Sequence, residues 1–234
     1  MSVPKLAKLL QGSFLVFDGP DGAGKSTQRE RMAETLRAAG GDVVVTRDPG
    51  GTGIGDRIRS VLLDHDLSQM DVSCEALLFM ASRAQLVAEI IRPALAAGKT
   101  VLCDRFVTST CAYQGAAGYD PRRVIELARF AIGNHWPHLT LVFDVDAEEG
   151  FERIGRKPHH AGKNRQKAGG DALLFTGAKT DAMEARPIDF HRRVRQFFLD
   201  VHAYYPTPVV TIDARGTVDE VHRRVMEALG RAAF

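Results

Sequence analysis

The residues most informative about chemistry lie near the N-terminus, in the segment FDGPDGAGKST. Gly19, Gly24, Lys25 and Ser26 match the pattern G-x-x-x-x-G-K-[ST], between an apolar run and a stretch of helical period. In this pattern the glycines let backbone N–H groups surround phosphate oxygens, while the lysine adds a positive charge and the hydroxyl can bind magnesium. The segment therefore predicts a loop that binds the phosphates of ATP.

Further charged candidates follow two later apolar runs. Asp104 ends the run VLCD, where its carboxylate could hold hydrated magnesium near the loop, and Arg105 comes next. Arg57 and Arg59 follow the turn TRDPGGT, and an arginine there could clamp an acceptor phosphate with two donors. The alternatives are a charged residue that simply ends a strand and arginines that are exposed to solvent.

Aromatic and polar residues occur at two other places. Phe79 and Arg83 are four residues apart, so they share a helix face that could offer a ring for stacking and donors beside it. Thr110, Tyr113 and Gln114 provide a hydroxyl, a ring and an amide that could recognise a base or a sugar. Taken singly, core packing and ordinary surface positions explain these residues better.

A basic, irregular segment occupies residues 155–177, and it has neither helical nor strand periodicity. It predicts a long mobile loop, and its charge suggests a lid. Such a lid would bring positive charge to the γ-phosphate and exclude water during transfer. A solvated run of charges is the alternative.

The elements that must position these residues follow from the hydrophobic pattern. Five short apolar runs alternate with helical segments, at residues 14–18, 42–46, 100–104, 139–145 and 208–212. This alternation predicts an α/β fold in which parallel strands are joined by crossover helices. Helices are expected at residues 74–97, 189–204 and 218–229. With no linker in sight, residues 1–234 are expected to form a single domain.

Composition excludes several classes of protein. Of the 234 residues, 44% are hydrophobic, which is enough to fill one core. The net charge of +2 gives no reason to expect nucleic acid or a membrane as partner. Three cysteines without paired spacing, and no long apolar segment, favour a cytoplasmic protein that is neither secreted nor membrane-spanning.

Taken together and in order, the motifs resemble those of the thymidylate kinase family. The resemblance covers nearly the whole chain and rests on FDGPDGAGKST, TRDPGGT, LLFMASRAQ, CDRF, AYQG and DFHRRV. It implies a P-loop nucleoside monophosphate kinase fold, with a five-stranded parallel sheet and a mobile lid at about residues 150–184. It also implies a homodimer that uses ATP and Mg²⁺ to phosphorylate dTMP to dTDP in dTTP synthesis.

The resemblance also implies roles for individual residues. Those expected to bind ATP are Gly19, Pro20, Asp21, Gly22, Ala23, Gly24, Lys25, Ser26 and Thr27. Those expected to bind dTMP are Asp21, Asp48, Arg59, Phe79, Arg83, Arg105, Thr110, Tyr113 and Gln114. Within this set, Phe79 would stack on thymine, Arg83 and Gln114 would bond its edge, and Asp21 would face the sugar. Arg59 and Arg105 would bind the acceptor phosphate, while Ser26 and Asp104 would hold magnesium.

Catalytic roles are implied for Lys25, Arg105, Arg153 and Arg156. Gly22 stands where one branch of the family has an arginine in the loop, so the lid should supply the arginine. Arg153 matches the family's arginine by identity, and Arg156 is the better candidate by reach. The chain departs from the family in an insertion at 158–179, and in Ala182, where an arginine is usual. Lysines or Arg165 in the insertion could replace it.

Two other functions remain open on the sequence. The loop and the DR pair do not fix the acceptor, so another deoxynucleoside or nucleoside monophosphate kinase is one alternative. A noncatalytic nucleotide-sensing module, in which ATP orders the lid for a partner, is the other.

Overall fold

A computed structural model describes residues 2–64, 69–157 and 186–232 of the chain. Its centre is a sheet of five parallel strands in the order β2-β3-β1-β4-β5. In chain order the strands are β1 Phe14–Asp18, β2 Val43–Arg47, β3 Thr100–Asp104, β4 Leu139–Asp144 and β5 Val209–Asp213. The predicted five-stranded parallel sheet is confirmed, and every strand lies within one residue of its predicted bounds.

Helices cover both faces of this sheet. In chain order they are α1 Val3–Leu9, α2 Lys25–Ala38, α3 Gly53–Leu62, α4 Val72–Leu86, α5 Arg92–Ala96, α6 Val107–Ala116, α7 Pro121–Ile132, α8 Ala147–Arg153, α9 Ile188–Asp200 and α10 Val218–Arg231. A short 3₁₀ turn, Val201–Ala203, extends α9. None of the helices in these described ranges is long and apolar enough to cross a membrane.

The hydrophobic core lies on both sides of the central strand. Phe14 and Val16 of β1 pack with α4, α6, α7 and α9, whereas Leu15 and Phe17 pack with α1, α2 and α10. All five residues of β1 are therefore buried. This two-sided burial explains why its sequence is a continuous apolar run instead of an alternating one.

The helix predicted at 74–97 differs from the observed one in its start and its regularity. It begins at Val72, because the side chain of Asp71 accepts a hydrogen bond from Ser73 N and caps the helix. A π-helical turn, Val87–Ile91, separates α4 from α5, and the N–H of Arg92 bonds Val87 O, five residues back. The next residue, Pro93, has no backbone N–H and cannot form the i→i−4 hydrogen bond of a regular α-helix. Its presence favours the local change from α-helical to π-helical hydrogen bonding.

The candidate site lies where β1, β2 and β3 end. These neighbouring parallel strands present their carboxyl ends at one edge, so the segments after Asp18, Arg47 and Asp104 converge. Of the predicted lid at 150–184, the structure describes the end of α8 and the segment up to 157. The insertion at 158–179, Arg165 and Ala182 lie outside the described residues, and the mobile lid stays a prediction.

Candidate active site

The phosphate-binding loop connects β1 to α2. Gly24 adopts a left-handed backbone with φ 81° and precedes the first residue of α2, Lys25. The buried amine of Lys25 donates to the carbonyl of Pro20 at 2.7 Å, and the hydroxyl of Ser26 donates to Asp104 at 2.5 Å. The loop thus places an ammonium group, a hydroxyl and a helix N-terminus together, which is the arrangement that binds a polyphosphate.

Gly22 is required by its surroundings. Its φ of 75° is strained for other residues, and a Cβ there would collide with the carbonyl of Gly150 in α8. The reverse holds too, because a Cβ on Gly150 would meet the carbonyl of Asp21. An arginine in place of Gly22 is therefore sterically excluded in this arrangement.

Two charged groups of the loop have shifted pKa values. Burial, with the nearby Arg105 guanidinium, lowers the pKa of Lys25 to about 8. Burial acts to raise the pKa of Asp21, but the positive charges of Arg105 and Lys25 outweigh it and lower that pKa. Lys25, Asp21 and Arg105 therefore form one set of interacting charges beside the loop.

Arg105 links the loop to the rest of the site. Among the described residues other than glycine, only Arg105 has a positive φ, 63°. Its backbone N–H donates to the carbonyl of Phe17 at 3.0 Å. Its guanidinium pairs with Asp21 and donates to the Gly19 carbonyl at 3.2 Å. It also lies 5.3 Å from the ring centroid of Tyr113. These contacts hold a strained backbone so that one arginine faces both loop and cavity.

Asp18 is a residue whose importance sequence reasoning missed. It is fully buried at the end of β1 and accepts hydrogen bonds from Gly19 N at 2.9 Å and Ser109 Oγ at 2.6 Å. The Thr108 hydroxyl binds its other oxygen. Asp18 thereby joins the loop to the start of α6. An acid directly before the first loop glycine was the available signal.

A cavity opens beside the loop. The structure brings together all nine residues predicted to bind the acceptor, and the cavity is lined by Asp21, Asp48, Arg59, Phe79, Arg83, Arg105, Thr110, Tyr113 and Gln114. They come from the loop, from the segments that follow β2 and β3, and from the helices α3, α4 and α6, so only folding makes them neighbours.

Arg83 is the most buried cation of this cavity, with 1% of its surface exposed. Its Nε donates to Asp48 at 2.6 Å, and Nη2 donates to Thr110 Oγ1 at 2.9 Å. Burial raises the pKa of Asp48, although the charge of Arg83 acts against the shift. Because the pair is buried, loss of either side chain would leave the other without its compensating charge.

An acid and a histidine that lie against residues of the cavity were missed in the sequence. Glu75 of α4 is buried and bonds Gln114, and His191 of α9 lies 3.9 Å from the carboxylate of Asp21. The Tyr113 hydroxyl donates to the same carboxylate at 2.8 Å. His191 lies within DFHRRV, so the resemblance was a signal for it, whereas Glu75 read only as the first turn of a helix.

The two arginines predicted to act from the lid lie on and after α8. Arg153 donates to the carbonyl of Ala214 at 3.0 Å and forms an ion pair with Glu149. Arg156 lies 4.4 Å from the ring centroid of Phe151. In this conformation Arg153 is engaged at the end of β5, so its predicted catalytic role would require it to move.

Ser26 and Asp104 fit a magnesium site that has few protein ligands. Their side-chain oxygens lie 2.5 Å apart at the end of β3, and Arg29 lies 3.5 Å from Asp104. No group of three acidic, histidine or cysteine ligands exists in the described ranges. Magnesium with one or two protein ligands, waters and substrate phosphates is the coordination this ion commonly adopts.

Comparison with known proteins points to one family. A family model described as thymidylate kinase matches residues 17–225. Proteins named thymidylate kinase from Syntrophotalea carbinolica, Geobacillus sp. and Deinococcus radiodurans are 42%, 38% and 40% identical to the chain. These matches cover 91%, 94% and 94% of the chain, and 92%, 97% and 97% of the relatives.

A solved structure agrees with the sequence comparisons. The crystal structure of thymidylate kinase from Ehrlichia chaffeensis superposes with a TM-score of 0.67 at 29% identity. The superposition covers 94% of this chain and 99% of the other. The similarity therefore extends over the sheet, its helices and the edge that carries the cavity.

Proposed function

Since the chain belongs to the thymidylate kinase family, we propose that it transfers the γ-phosphoryl group of ATP to the phosphate of dTMP, forming dTDP for dTTP synthesis. One structural observation supports this proposal independently of family membership. The cavity that holds every expected acceptor residue touches the loop through Asp21 and Arg105, so donor and acceptor phosphates would meet at that junction.

Side chains of the cavity would recognise dTMP by stacking and by hydrogen bonding. Phe79 offers a ring for stacking on the base, and Arg83 and Gln114 offer polar groups for its edge. Asp21 would face the sugar, and Thr110 and Tyr113 would line the pocket for the base and the sugar. Arg59, which donates to Pro49 O at 3.1 Å, lies with Arg105 where the acceptor phosphate would bind.

Transfer would rest on positioning and charge. The attacking oxygen of dTMP is already ionised at neutral pH, so no general base is needed. Lys25 and Arg105 stabilise charge on the transferring group, residues 19–27 bind the ATP phosphates, and Arg153 or Arg156 adds charge when the lid closes. Ser26 and Asp104 would hold Mg²⁺, which neutralises phosphate charge when bound.

ADP release measured against thymidine, dTMP, dCMP and dGMP tests the choice of acceptor. The proposal predicts release that depends on dTMP and exceeds the release with every other acceptor. Equal activity with thymidine would favour a deoxynucleoside kinase. ATP binding without release on any acceptor would favour the nucleotide-sensing alternative.

The magnesium proposal makes a separate prediction. Asp104→Asn is expected to raise the Mg²⁺ concentration for half-maximal activity about 10-fold, because a neutral amide binds this cation weakly. Magnesium titration of the steady-state rate measures the change. Asp42→Asn, which alters an exposed acid paired with Lys99, is the matched control. An unchanged titration in Asp104→Asn would contradict the metal role.

We also propose that the chain is one cytoplasmic domain that forms a homodimer. Two large apolar side chains support the dimer: Phe130 of α7 is 95% exposed, and Leu77 of α4 is 55% exposed. Helices α4 and α7 pack together on one face of the sheet. Exposed apolar groups of this size commonly mark a contact surface.

Phe130→Asp is expected to convert the dimer to a monomer, because a carboxylate would be buried at the contact. Size-exclusion chromatography with light scattering measures the mass. Val218→Asp, on α10 at the other face of the sheet, is the control and should leave the mass of two chains. A wild-type protein with the mass of one chain would contradict the proposal.

A further inference from the structure

Behind the base end of the cavity lies a buried pair, Glu75 of α4 and Gln114 of α6. Glu75 is 6% exposed and Gln114 is fully buried. Glu75 Oε2 accepts from Gln114 Nε2 at 2.7 Å, and Glu75 Oε1 accepts from Arg186 at 3.0 Å. The two helices thus hold a carboxylate against one end of the amide.

This contact decides which end of the amide faces the cavity. A carboxylate accepts hydrogen bonds and cannot donate them, so only the NH₂ end of Gln114 can face Glu75. The carbonyl end, Oε1, is then directed away from Glu75. This oxygen is buried and has no hydrogen-bond partner in the described part of the chain. A buried acceptor left unpaired is costly, and a donor on a ligand in the cavity would satisfy it.

Pyrimidine bases differ at the position where such a donor is needed. The edge of thymine carries an N–H between two carbonyl groups, whereas the ring nitrogen of neutral cytosine at the same place is an acceptor. Against Gln114 Oε1, thymine forms a hydrogen bond and cytosine sets two acceptors face to face. Sites that require a hydrogen bond reject ligands that lack the partner group much more strongly than apolar pockets do.

We propose that Glu75 is a specificity-determining positioning residue: by fixing the Gln114 amide, it makes the cavity select thymine over cytosine. The inference rests on the proposed function, because dTMP is taken as the acceptor. Glu75 lies behind Gln114 and acts on the base only through its amide.

Glu75→Gln tests the inference with almost no change of shape. A glutamine at this position can offer either NH₂ or oxygen, so the Gln114 amide is free to turn its NH₂ end toward the ligand. The ratio of dCMP to dTMP dissociation constants, measured by calorimetry, is expected to fall about 10-fold or more. The ratio of kcat/KM for dCMP to kcat/KM for dTMP should rise correspondingly, partly through a gain with dCMP.

Arg186→Gln provides the matched control. It removes the ion pair with Glu75 but leaves the bond from Glu75 to Gln114 in place, so the dCMP to dTMP ratio should stay within about 3-fold of wild type. If both variants lower the ratio equally, the effect belongs to the ion pair and the inference is wrong.

Glu75→Met, which also removes the acceptor, is the second test variant should Glu75→Gln fold poorly. An unchanged ratio in a folded Glu75 variant that still binds dTMP would overturn the inference. Failure of the proposed function would look different, since wild type itself would then form no dTDP from dTMP. The binding ratio requires no turnover and therefore separates the two failures.

Discussion

Lys25→Met is expected to lower kcat by about 1,000-fold or more, because one preorganised charge at the transferring phosphate is lost. The amine lies at the start of α2, buried, where phosphate oxygens would bind. Steady-state dTDP formation at saturating ATP measures the effect. A rate near that of wild type would show that Lys25 has no catalytic role.

The same variant is expected to be more stable than wild type without ligand, by on the order of 2 kcal/mol. In the folded state burial lowers the pKa of Lys25 from 10.5 to about 8. Below pH 8 both states carry the proton, and the cost of burying the charge is fully present. Between pH 8 and 10.5 the folded state loses the proton before the unfolded state does, so wild-type stability gains from this group as pH rises.

Urea unfolding of wild type and Lys25→Met at pH 7 and pH 10 measures how their stability difference depends on pH. The stability advantage of Lys25→Met should be largest at pH 7 and should shrink at pH 10. Lys99→Met is the control, because Lys99 is a more exposed lysine paired with Asp42 at the other end of the sheet. Lys99→Met should show neither the gain in stability nor the loss of turnover that is expected of Lys25→Met. A Lys25→Met protein that is less stable at pH 7 would contradict this expectation.

Arg83→Met is expected to destabilise the protein by about 3–5 kcal/mol, because it leaves Asp48 as a buried carboxylate without its partner. The side chains of the pair are 1% and 0% exposed, so solvent cannot replace the arginine. Activity toward dTMP should fall as well, since Arg83 lines the cavity that we propose binds the acceptor. Thermal and urea unfolding measure the first effect and steady-state kinetics the second.

A double variant separates these two effects. Arg83→Met with Asp48→Asn removes the unpaired charge and should recover more than half of the lost stability while activity stays low. Arg92→Met, an exposed arginine of α5, is the surface control. Equal stability of the single and double variants would show that the Asp48 charge is not the cause.

The pH dependence of Arg83→Met follows from the same carboxylate. Burial already raises the pKa of Asp48, and loss of the arginine should raise it further. A carboxyl group with a raised pKa takes up a proton on folding, so stability increases as pH falls through that pKa. The deficit of Arg83→Met should therefore be smaller at pH 5 than at pH 8.

Much of the fold could be predicted because its signals are local. Each strand is a short apolar run, and buried parallel strands require this pattern whatever surrounds them. The loop at 19–26 was readable for the same reason, since its glycines and Lys25 are adjacent in the chain. The break between α4 and α5 was missed because a helical period continues through Val87–Ile91.

The candidate site was readable only in part because its contacts join distant residues. Gln114 is 39 residues from Glu75, and no periodicity shows that α4 and α6 bring them within 2.7 Å. The family resemblance identified Gln114, but it did not indicate what fixes its amide. Likewise, Arg153 could be recognised by motif, whereas its bond to Ala214 depends on the position of β5.

The most direct test of the proposed function uses ATP labelled in its γ-phosphoryl group, incubated with the protein, Mg²⁺ and dTMP. In-line transfer between the loop and the cavity predicts that the label appears in dTDP, with little in inorganic phosphate, and that Lys25→Met abolishes it. Label found only in inorganic phosphate, or none released at all while ATP binds, would contradict phosphoryl transfer to dTMP.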